Sequence, residues 1–340
     1  MAIEIKENMP LAPLTTMRAG GSARFFTSVK TGAEIGEAAW WAREKNLPIF
    51  ILGGGSNTLV PDAGFPGLVV KIDICGTKYE STHHGVCVYA GAGEVWDDLV
   101  RDSVLRNLWG LENLSLIPGT VGGAAVQNIG AYGVEAKQSI HEVEVFDIEK
   151  KELRKISGHK CKLGYRDSIF KNNKNLVVIS VAFNLVHNAT PHTEYEDVKK
   201  YFSDKNTEHL TPQKVRDAII AIRTAKMPGL EIGTAGSFFK NPVVSAEKFE
   251  ELKGLFPEIK AHLQGDGTAK VSAAWLLDKV GGFRGYRRGD AGVFEKQSLI
   301  VVNHGNATST EIISLANEMK QEIKNKTGIS LEEEVVMMSE

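Results

Sequence analysis

Apolar residues recur along this chain at two spacings, and the switches between them lay out its elements. Ile35, Ala38, Ala39 and Ala42 stand at helical spacing behind Thr31 and Glu34, an N-cap and third-residue pair, so a helix is predicted that ends before Pro48. The apolar run Ile49-Phe50-Ile51-Leu52 predicts a buried strand and breaks into Gly53-Gly54-Gly55-Ser56-Asn57. Strands are expected at 68–74 and 86–90, then a helix over about 94–107 with Trp96, Leu99, Val100 and Val104 on one face. Residues 143–147 and 153–156 alternate like the arms of a hairpin, and 176–184 predicts a longer strand. Thr211 and Pro212 suit the start of a helix that carries Val215, Ala218, Ile219 and Ile222 at helical spacing. Past Pro228, helical patterns at 246–255, 272–280 and 309–326 surround a strand-like 299–302, which predicts a small α+β unit.

Two glycine-rich stretches interrupt this pattern. Residues 117–133 carry no charge and place glycines at 119, 122, 123, 130 and 133 among small apolar residues, with Gln127 and Asn128. Such a backbone either cradles a large cofactor with bare N–H groups or forms a buried turn where two sheets meet. The turn at 53–57 adds the Ser56 hydroxyl and the Asn57 amide, and reads as a phosphate site or a structural turn; no Gly-Lys-Ser/Thr follows to make it a P-loop. Gly91 and Gly93 read as turn residues, because a dinucleotide fingerprint would need glycine where Trp96 stands.

Polar clusters supply further candidates. Gly164-Tyr165-Arg166-Asp167-Ser168 is either a surface turn with its own ion pair or an arginine aimed at an anionic ligand. Arg223 and Lys226 close the helix that begins at Pro212, where cations ordinarily complement the helix dipole. A second polar glycine stretch, 233–242, holds Ser237, and the chain ends on Glu332-Glu333-Glu334 between apolar neighbours: a solvated end, or a strand with one acid turned inward.

Composition narrows the field. Of 340 residues, 42% are hydrophobic and 24% charged, which excludes disorder and leaves no apolar span for a membrane. A formal charge of −2 with scattered basic residues gives no footprint for nucleic acid. Three unpatterned cysteines and an N-terminus without a secretory signal lead to an expectation of the cytoplasm. His83 and His84, adjacent on an expected strand, would face opposite ways and make poor co-ligands, and Ser237 lacks a Gly-x-Ser-x-Gly elbow. Two glycine-rich sites without a triphosphate motif suit a dinucleotide, and the hydroxyl, arginine and acid in the later chain suit a proton-coupled redox step.

In order, the motifs at 53–57, 117–133, 164–168 and 235–242 and the terminal Leu-Glu-x-Glu-Val resemble those of the UDP-N-acetylenolpyruvoylglucosamine reductase family, nearly end to end. The resemblance implies an α+β fold: a two-lobed FAD-binding domain of the vanillyl-alcohol-oxidase/PCMH type (1–75 and 76–211), a smaller substrate-binding domain (212–326), and a C-terminal strand (327–340) returning to the lobes. The segment Thr193-Glu194-Tyr195 marks the longer of two family forms.

By the same resemblance FAD is non-covalent, with Gly53, Gly55, Ser56 and Asn57 on its pyrophosphate and Arg223 supporting its phosphates. Pro118, Gly119, Gly122, Gly123, Asn128, Gly130, Tyr132 and Gly133 line the flavin, and Tyr165, Tyr195, Lys226, Asn241 and Gln297 hold the UDP-sugar. NADPH reduces the flavin, whose N5 passes hydride to the enolpyruvyl methylene of UDP-N-acetylglucosamine enolpyruvate; Arg166 and Glu334 stabilise the developing charge and Ser237 gives the proton. A monomer in a bacterial cytoplasm is expected. One position departs from the family, Val336, where an arginine close to the flavin is common. Two other readings stay open: a same-fold flavin oxidoreductase for alcohols or hydroxy acids, and a non-catalytic flavin or nucleotide-sugar sensor.

Overall fold

The computed structural model describes residues 3–205, 207 and 209–339. Three sheet systems follow one another along the chain. The first is four-stranded, in the order Lys6–Pro10, Ser22–Val29, Phe65–Ile72, Ile49–Leu52. Its last three strands are parallel, with Phe25 and Ile49 both opposite Leu68. Phe65–Ile72 is central and buried on both faces, which explains its near-continuous apolar run. Helix Gly32–Glu44 connects Ser22–Val29 to Ile49–Leu52; the Thr31 hydroxyl caps it by accepting from Glu34 N at 3.2 Å, while the Glu34 carboxylate reaches past the cap to Lys30 N.

The second sheet has five strands, all antiparallel, in the order Glu152–Ser157, Ile140–Asp147, Leu176–Leu185, Gly85–Gly91, Thr77–Thr82. Gly93 is a turn residue as expected, whereas Gly91 ends the strand Gly85–Gly91 opposite Ser180; a Cβ on either would meet the backbone of Ile74, at 2.7 Å from Gly93 and 2.3 Å from Gly91. Contrary to expectation, His83 and His84 are not on a strand but form the hairpin turn between Thr82 and Gly85, and both are exposed. The strand pattern runs on through them because the flanking Thr82 and Gly85 pair directly. One core joins the two lobes: Val29, Ile35, Leu68 and Val70 pack in the same apolar cluster as Val88, Trp96, Val143 and Phe183.

The third system comprises a four-stranded sheet, Gly233–Ser237, Ile300–Asn303, Ala291–Val293, Arg287–Arg288, and a three-stranded one, Val243–Val244, Ala269–Val271, Ala261–Leu263. Helices Ala246–Leu255 and Ser309–Thr327 match their apolar periodicity. The expected helix at 272–280 is instead one α turn, Ala273–Trp275, followed by a π turn, Leu276–Val280, which Gly281 and Gly282 terminate. The core of this unit draws in Met17 and Leu59 from the first lobe and Leu331 and Val335 from the tail.

Helix Pro212–Lys226 buries Val215, Ala218, Ile219 and Ile222 against Trp109, Val198 and Phe202, so its apolar face lies with the second lobe. Its polar anchor is a fork: Arg216 donates from Nη1 and Nη2 to the two carboxylate oxygens of Asp97 at 2.7 and 2.8 Å. Asp97 also accepts from the N–H of Leu116, a residue held at φ 59° just before the long glycine stretch. One carboxylate therefore ties together helix Trp96–Leu105, the 116–119 turn and helix Pro212–Lys226.

Burial alone would raise the Asp97 carboxyl, but the Arg216 fork and the Leu116 N–H bring it below the ordinary aspartate range. A depressed pKa contributes stability that is present above the unfolded value and is lost as pH falls through the folded one. Asp97→Asn is expected to cost about 3 kcal/mol at neutral pH, because it leaves a buried guanidinium without its charge partner. Urea titrations should show that deficit shrinking on acidification; a deficit unchanged down to about pH 2 would contradict the assignment. In the glycine turn, Gly55 sits at φ 63° and a Cβ there would come 2.1 Å from Leu14 O. Gly55→Ala should therefore destabilise by about 2 kcal/mol or more, whereas Gly254→Ala, at an open helical position, should stabilise by up to about 1 kcal/mol.

Candidate active site

The tail brings the site together. Residues 332–334 run antiparallel to 238–240: Lys240 N donates to Glu332 O at 2.9 Å and Glu334 N donates to Phe238 O at 2.8 Å. Two residues later, Val336–Met337 pairs in parallel with Thr58–Leu59, and Val336 N donates to Asn57 O at 2.9 Å. The three consecutive acids take three different cations: Glu332 pairs with Lys240, Glu333 with Lys320 at 2.6 Å, and Glu334 with Arg166 at 2.6 Å. Of the two readings of the terminus, an inward-facing acid is correct, and that acid is Glu334.

Arg166 belongs to a tight turn in which Gly164 N donates to Asp167 O at 3.0 Å, and its own φ is 54°. It makes no ion pair within its turn; Asp167 is taken by Asn172, and the guanidinium reaches the tail and donates to Gly130 O at 3.0 Å. The side chains of Arg166 and Glu334 are only 17% and 13% exposed. Arg166 Nε has no aligned hydrogen-bond acceptor, so the 2.6 Å approach is a contact of opposite charges rather than a directed bond. Burial pushes the Glu334 carboxyl above the ordinary glutamate range, and Arg166, Lys171 and Lys240 offset that only in part.

Ser237 ends the strand Gly233–Ser237 beside this pair, one residue before the Phe238 carbonyl that holds Glu334. A bulge interrupts its pairing between Thr234 and Ser237, with Gly236 at φ 77° and its N–H on the Thr234 hydroxyl at 3.1 Å. Bulges re-aim the side chain that follows. Tyr165 accepts from Asn241 N at 3.2 Å, Asn241 Oδ1 accepts from Ala273 N at 2.9 Å, and Lys270 lies 3.9 Å from the Tyr165 ring centre. This chain of contacts seats the last domain on the second lobe.

The two glycine loops lie backbone to backbone. A Cβ on Gly54 would stand 2.9 Å from Gly119 Cα, one on Gly119 would stand 2.7 Å from Ser56 Oγ, and Ser56 donates to Pro118 O at 3.0 Å. Gly53 closes on Thr120 Oγ1 and Gly122 on Ala92 in the same way. Other glycines open onto space: a Cβ on Gly133 or Gly236 would meet nothing within 4 Å, and one on Gly123 would meet only Thr120 Oγ1, at 3.6 Å. Gly119 and Gly122 therefore serve loop packing, as the turn reading expects, while Gly123 and Gly133 face open space.

Some amides assigned to ligand are used within the fold. The left-handed Asn128 donates to Glu135 at 3.1 Å and to Gly164 O at 2.7 Å, and accepts from Lys137 N at 2.9 Å. Asn57 donates to Glu334 O at 3.1 Å. Arg223 and Lys226 have specific partners beyond the helix dipole: Arg223 meets the Tyr132 hydroxyl, and Lys226 meets Asp197 at 2.6 Å. Tyr132 packs edge-on against Tyr195 at 5.5 Å, so the tyrosine-bearing segment covers the end of that helix. Arg223 Nε remains a buried donor without a partner.

Lys226 and Gln297 also border a cavity of about 500 Å³ in the last domain, which Arg166, Ser237 and Glu334 do not line. Five of its side chains are cations, Lys226, Lys260, Lys279, Arg284 and Lys296, against the acids Glu258 and Asp278. That balance suits a polyanion. Sequence reasoning missed Lys171, Asp97 and Arg216, which no periodicity or motif singles out, and it noted Gln127 in the glycine stretch without its partners Lys171 and Glu334, which are distant in the chain. Among the described residues no group of three or more His, Cys, Asp or Glu is placed to hold a metal.

Residues 227–338 match the UDP-N-acetylenolpyruvoylglucosamine reductase C-terminal domain, and residues 23–157 match an FAD binding domain. The UDP-N-acetylenolpyruvoylglucosamine reductase of Pseudomonas putida is 39% identical over 337 residues, covering 98% of this chain and 99% of the relative. That of Chromobacterium violaceum is 38% identical over 343 residues, covering 99% and 100%. The crystal structure of the Thermus caldophilus reductase superposes with a TM-score of 0.69 at 24% identity, over 99% of this chain and all of that one, and supports the two-lobed fold. By sequence across its whole length, the chain belongs to the UDP-N-acetylenolpyruvoylglucosamine reductase family.

Proposed function

We propose that this chain reduces the enolpyruvyl ether of UDP-N-acetylglucosamine enolpyruvate to UDP-N-acetylmuramate, a peptidoglycan precursor, with non-covalent FAD as cofactor and NADPH as reductant. The observation that carries the reading is the buried Arg166–Glu334 pair, in which Glu334 is bonded through its N–H to the carbonyl of Phe238, the residue after Ser237, so that three distant stretches of the chain converge. A sensor needs no such convergence, and an alcohol oxidase needs no cationic cavity. FAD fits the residues present: Gly123 and Gly133 leave room, Arg223 offers an unpartnered buried donor, and Gly53, Gly55, Ser56, Pro118 and Gly119 belong to two tightly packed loops. When bound, FAD supplies hydride transfer.

The chain's own groups handle charge and proton. Reduction adds a hydride equivalent to the methylene carbon and a proton to its neighbour, and negative charge grows on the substrate carboxylate side. Arg166 is held by Gly130 and by its turn, ready to receive that carboxylate through its planar fork. Glu334 already occupies part of the guanidinium, so a second carboxylate arriving there favours protonation of an acid whose proton affinity burial has raised. Protonated, it donates to the substrate rather than repelling it. Ser237, re-aimed by the bulge, gives the proton; a hydroxyl serves because an enolate-type carbon is a strong base.

The cationic cavity takes the diphosphate, with Lys226 and Gln297 at its edge, and Tyr195, Tyr165 and Asn241 hold the rest of the UDP-sugar. On this reading the chain acts as a monomer in a bacterial cytoplasm; among the described residues no helix is long and apolar enough to cross a membrane. Stopped-flow measurement of the two half-reactions tests the assignment. In Ser237→Ala, bleaching by NADPH should be retained, while anaerobic re-oxidation by the enolpyruvyl substrate should slow on the order of 10²-fold. Equal slowing of both would remove Ser237 as the acid, and re-oxidation by UDP-N-acetylglucosamine itself would overturn the substrate.

A further inference from the structure

Beneath the Arg166–Glu334 pair lies a lysine that no motif draws attention to. Lys171 is in the short helix Ile169–Asn172, whose cap Ser168 accepts from Lys171 N at 3.3 Å and donates to Val126 O at 2.7 Å. Its ammonium donates to the carbonyl of Arg166 at 3.1 Å and to Gln127 Oε1 at 3.1 Å. The Gln127 amide in turn donates to the carbonyl of Glu334 at 3.3 Å. A continuous path of hydrogen bonds thus runs from the main chain of Arg166 to the main chain of Glu334.

We propose that Lys171 is a positioning residue for the reacting pair: its ammonium joins the backbones that carry Arg166 and Glu334 and supplies a fixed positive field beneath the carboxylate. This rests on the functional reading above for the meaning of the pair, but not for the contacts. Each contact has a separate effect. The bond to the Arg166 carbonyl holds a non-glycine residue in the left-handed region, where the turn would otherwise relax. The path through Gln127 fixes the tail at the residue that bears the acid.

The charges around the pair are Arg166, Lys171 and Lys240 facing Glu334, and Glu334, Asp167, Glu332 and Lys240 facing Lys171, with the Tyr165 hydroxyl alongside. Burial lowers the proton affinity of Lys171, but an amine with two acceptors and these acids nearby stays charged at neutral pH. Removing that charge leaves Glu334 with fewer cations and a stronger hold on its proton. Losing the bonds as well loosens the alignment on which the reaction depends.

The test is the titration of Glu334 itself, followed by carboxyl ¹³C NMR and assigned from the resonance that disappears in Glu334→Gln. In both Lys171→Met and Lys171→Gln, Glu334 should titrate higher by about one pH unit than in the wild type. Lys171→Gln keeps a donor without the charge, so it should recover melting temperature but not the titration, and it decides the matter if the methionine variant does not fold. Turnover in either variant should show kcat reduced on the order of tenfold with less change in KM. Unchanged titration of Glu334 in a folded variant overturns the proposal, even if turnover falls. A wild type that fails to turn over the enolpyruvyl substrate would instead sink the functional reading and leave the titration result standing.

Discussion

The buried contact between Arg166 and Glu334 is the constraint to which the rest of the architecture answers. Two charges that are each more than four-fifths buried lose much of their hydration, and their mutual attraction offsets that only if other groups hold them in place. Every element at the site does so. The Arg166 turn is tied by Gly164, the guanidinium is tied by Gly130, and the tail is pinned on one side by Phe238 and on the other by Asn57 and Gln127. The neighbouring acids Glu332 and Glu333 have cations of their own, which leaves Arg166 to the one carboxylate that faces inward. A contact of this kind is weak evidence for stability, and the proposed function gives it a use: an acid and an arginine poised where a second carboxylate would meet both.

The glycines perform two distinct jobs, and separating them explains why so many are needed. At Gly54 and Gly119 a side chain would strike the loop of the other lobe, so these residues let the two lobes touch, while at Gly55 and Gly122 it would strike Leu14 and Ala92 of their own lobe. At Gly123, Gly133 and Gly236 there is empty space, and in the proposed function the absence of a side chain keeps a ligand surface bare. Shared packing between the lobes makes the first group as important as the second. Asp97 extends the same logic, since one carboxylate sets the turn before Pro118 and the helix that presents Arg223 and Lys226.

Local structure was legible in the sequence wherever short-range chemistry decides it. Thr31 and Thr211 cap the predicted helices, and Ile49–Leu52 is a strand ending in the glycine turn, although it lies at the sheet edge with only Leu52 fully buried rather than buried throughout as expected. His83 and His84 were misread because a two-residue hairpin turn leaves the alternation of its strands unbroken. The π turn at Leu276–Val280 escaped notice because its apolar spacing is close to that of an ordinary helix. Motifs located Arg166, Ser237 and Glu334, but Lys171 and Gln127 lie 44 residues apart and meet only after the strand Leu176–Leu185 and the helix Val121–Gln127 have packed. Asn128 lies within a motif, yet its side chain is fully engaged inside the fold.

The central claim is that a flavin and a carboxylate-bearing substrate meet at the point where Arg166, Ser237 and Glu334 converge. A crystal structure of the chain with FAD and UDP-N-acetylglucosamine enolpyruvate tests it most directly. The account predicts the flavin ring against Gly123 and Gly133, the substrate carboxylate on the Arg166 fork with Glu334 beside it, and the diphosphate among Lys226, Lys279 and Arg284. A flavin seated elsewhere, or a substrate carboxylate out of hydrogen-bond reach of Arg166, would contradict it.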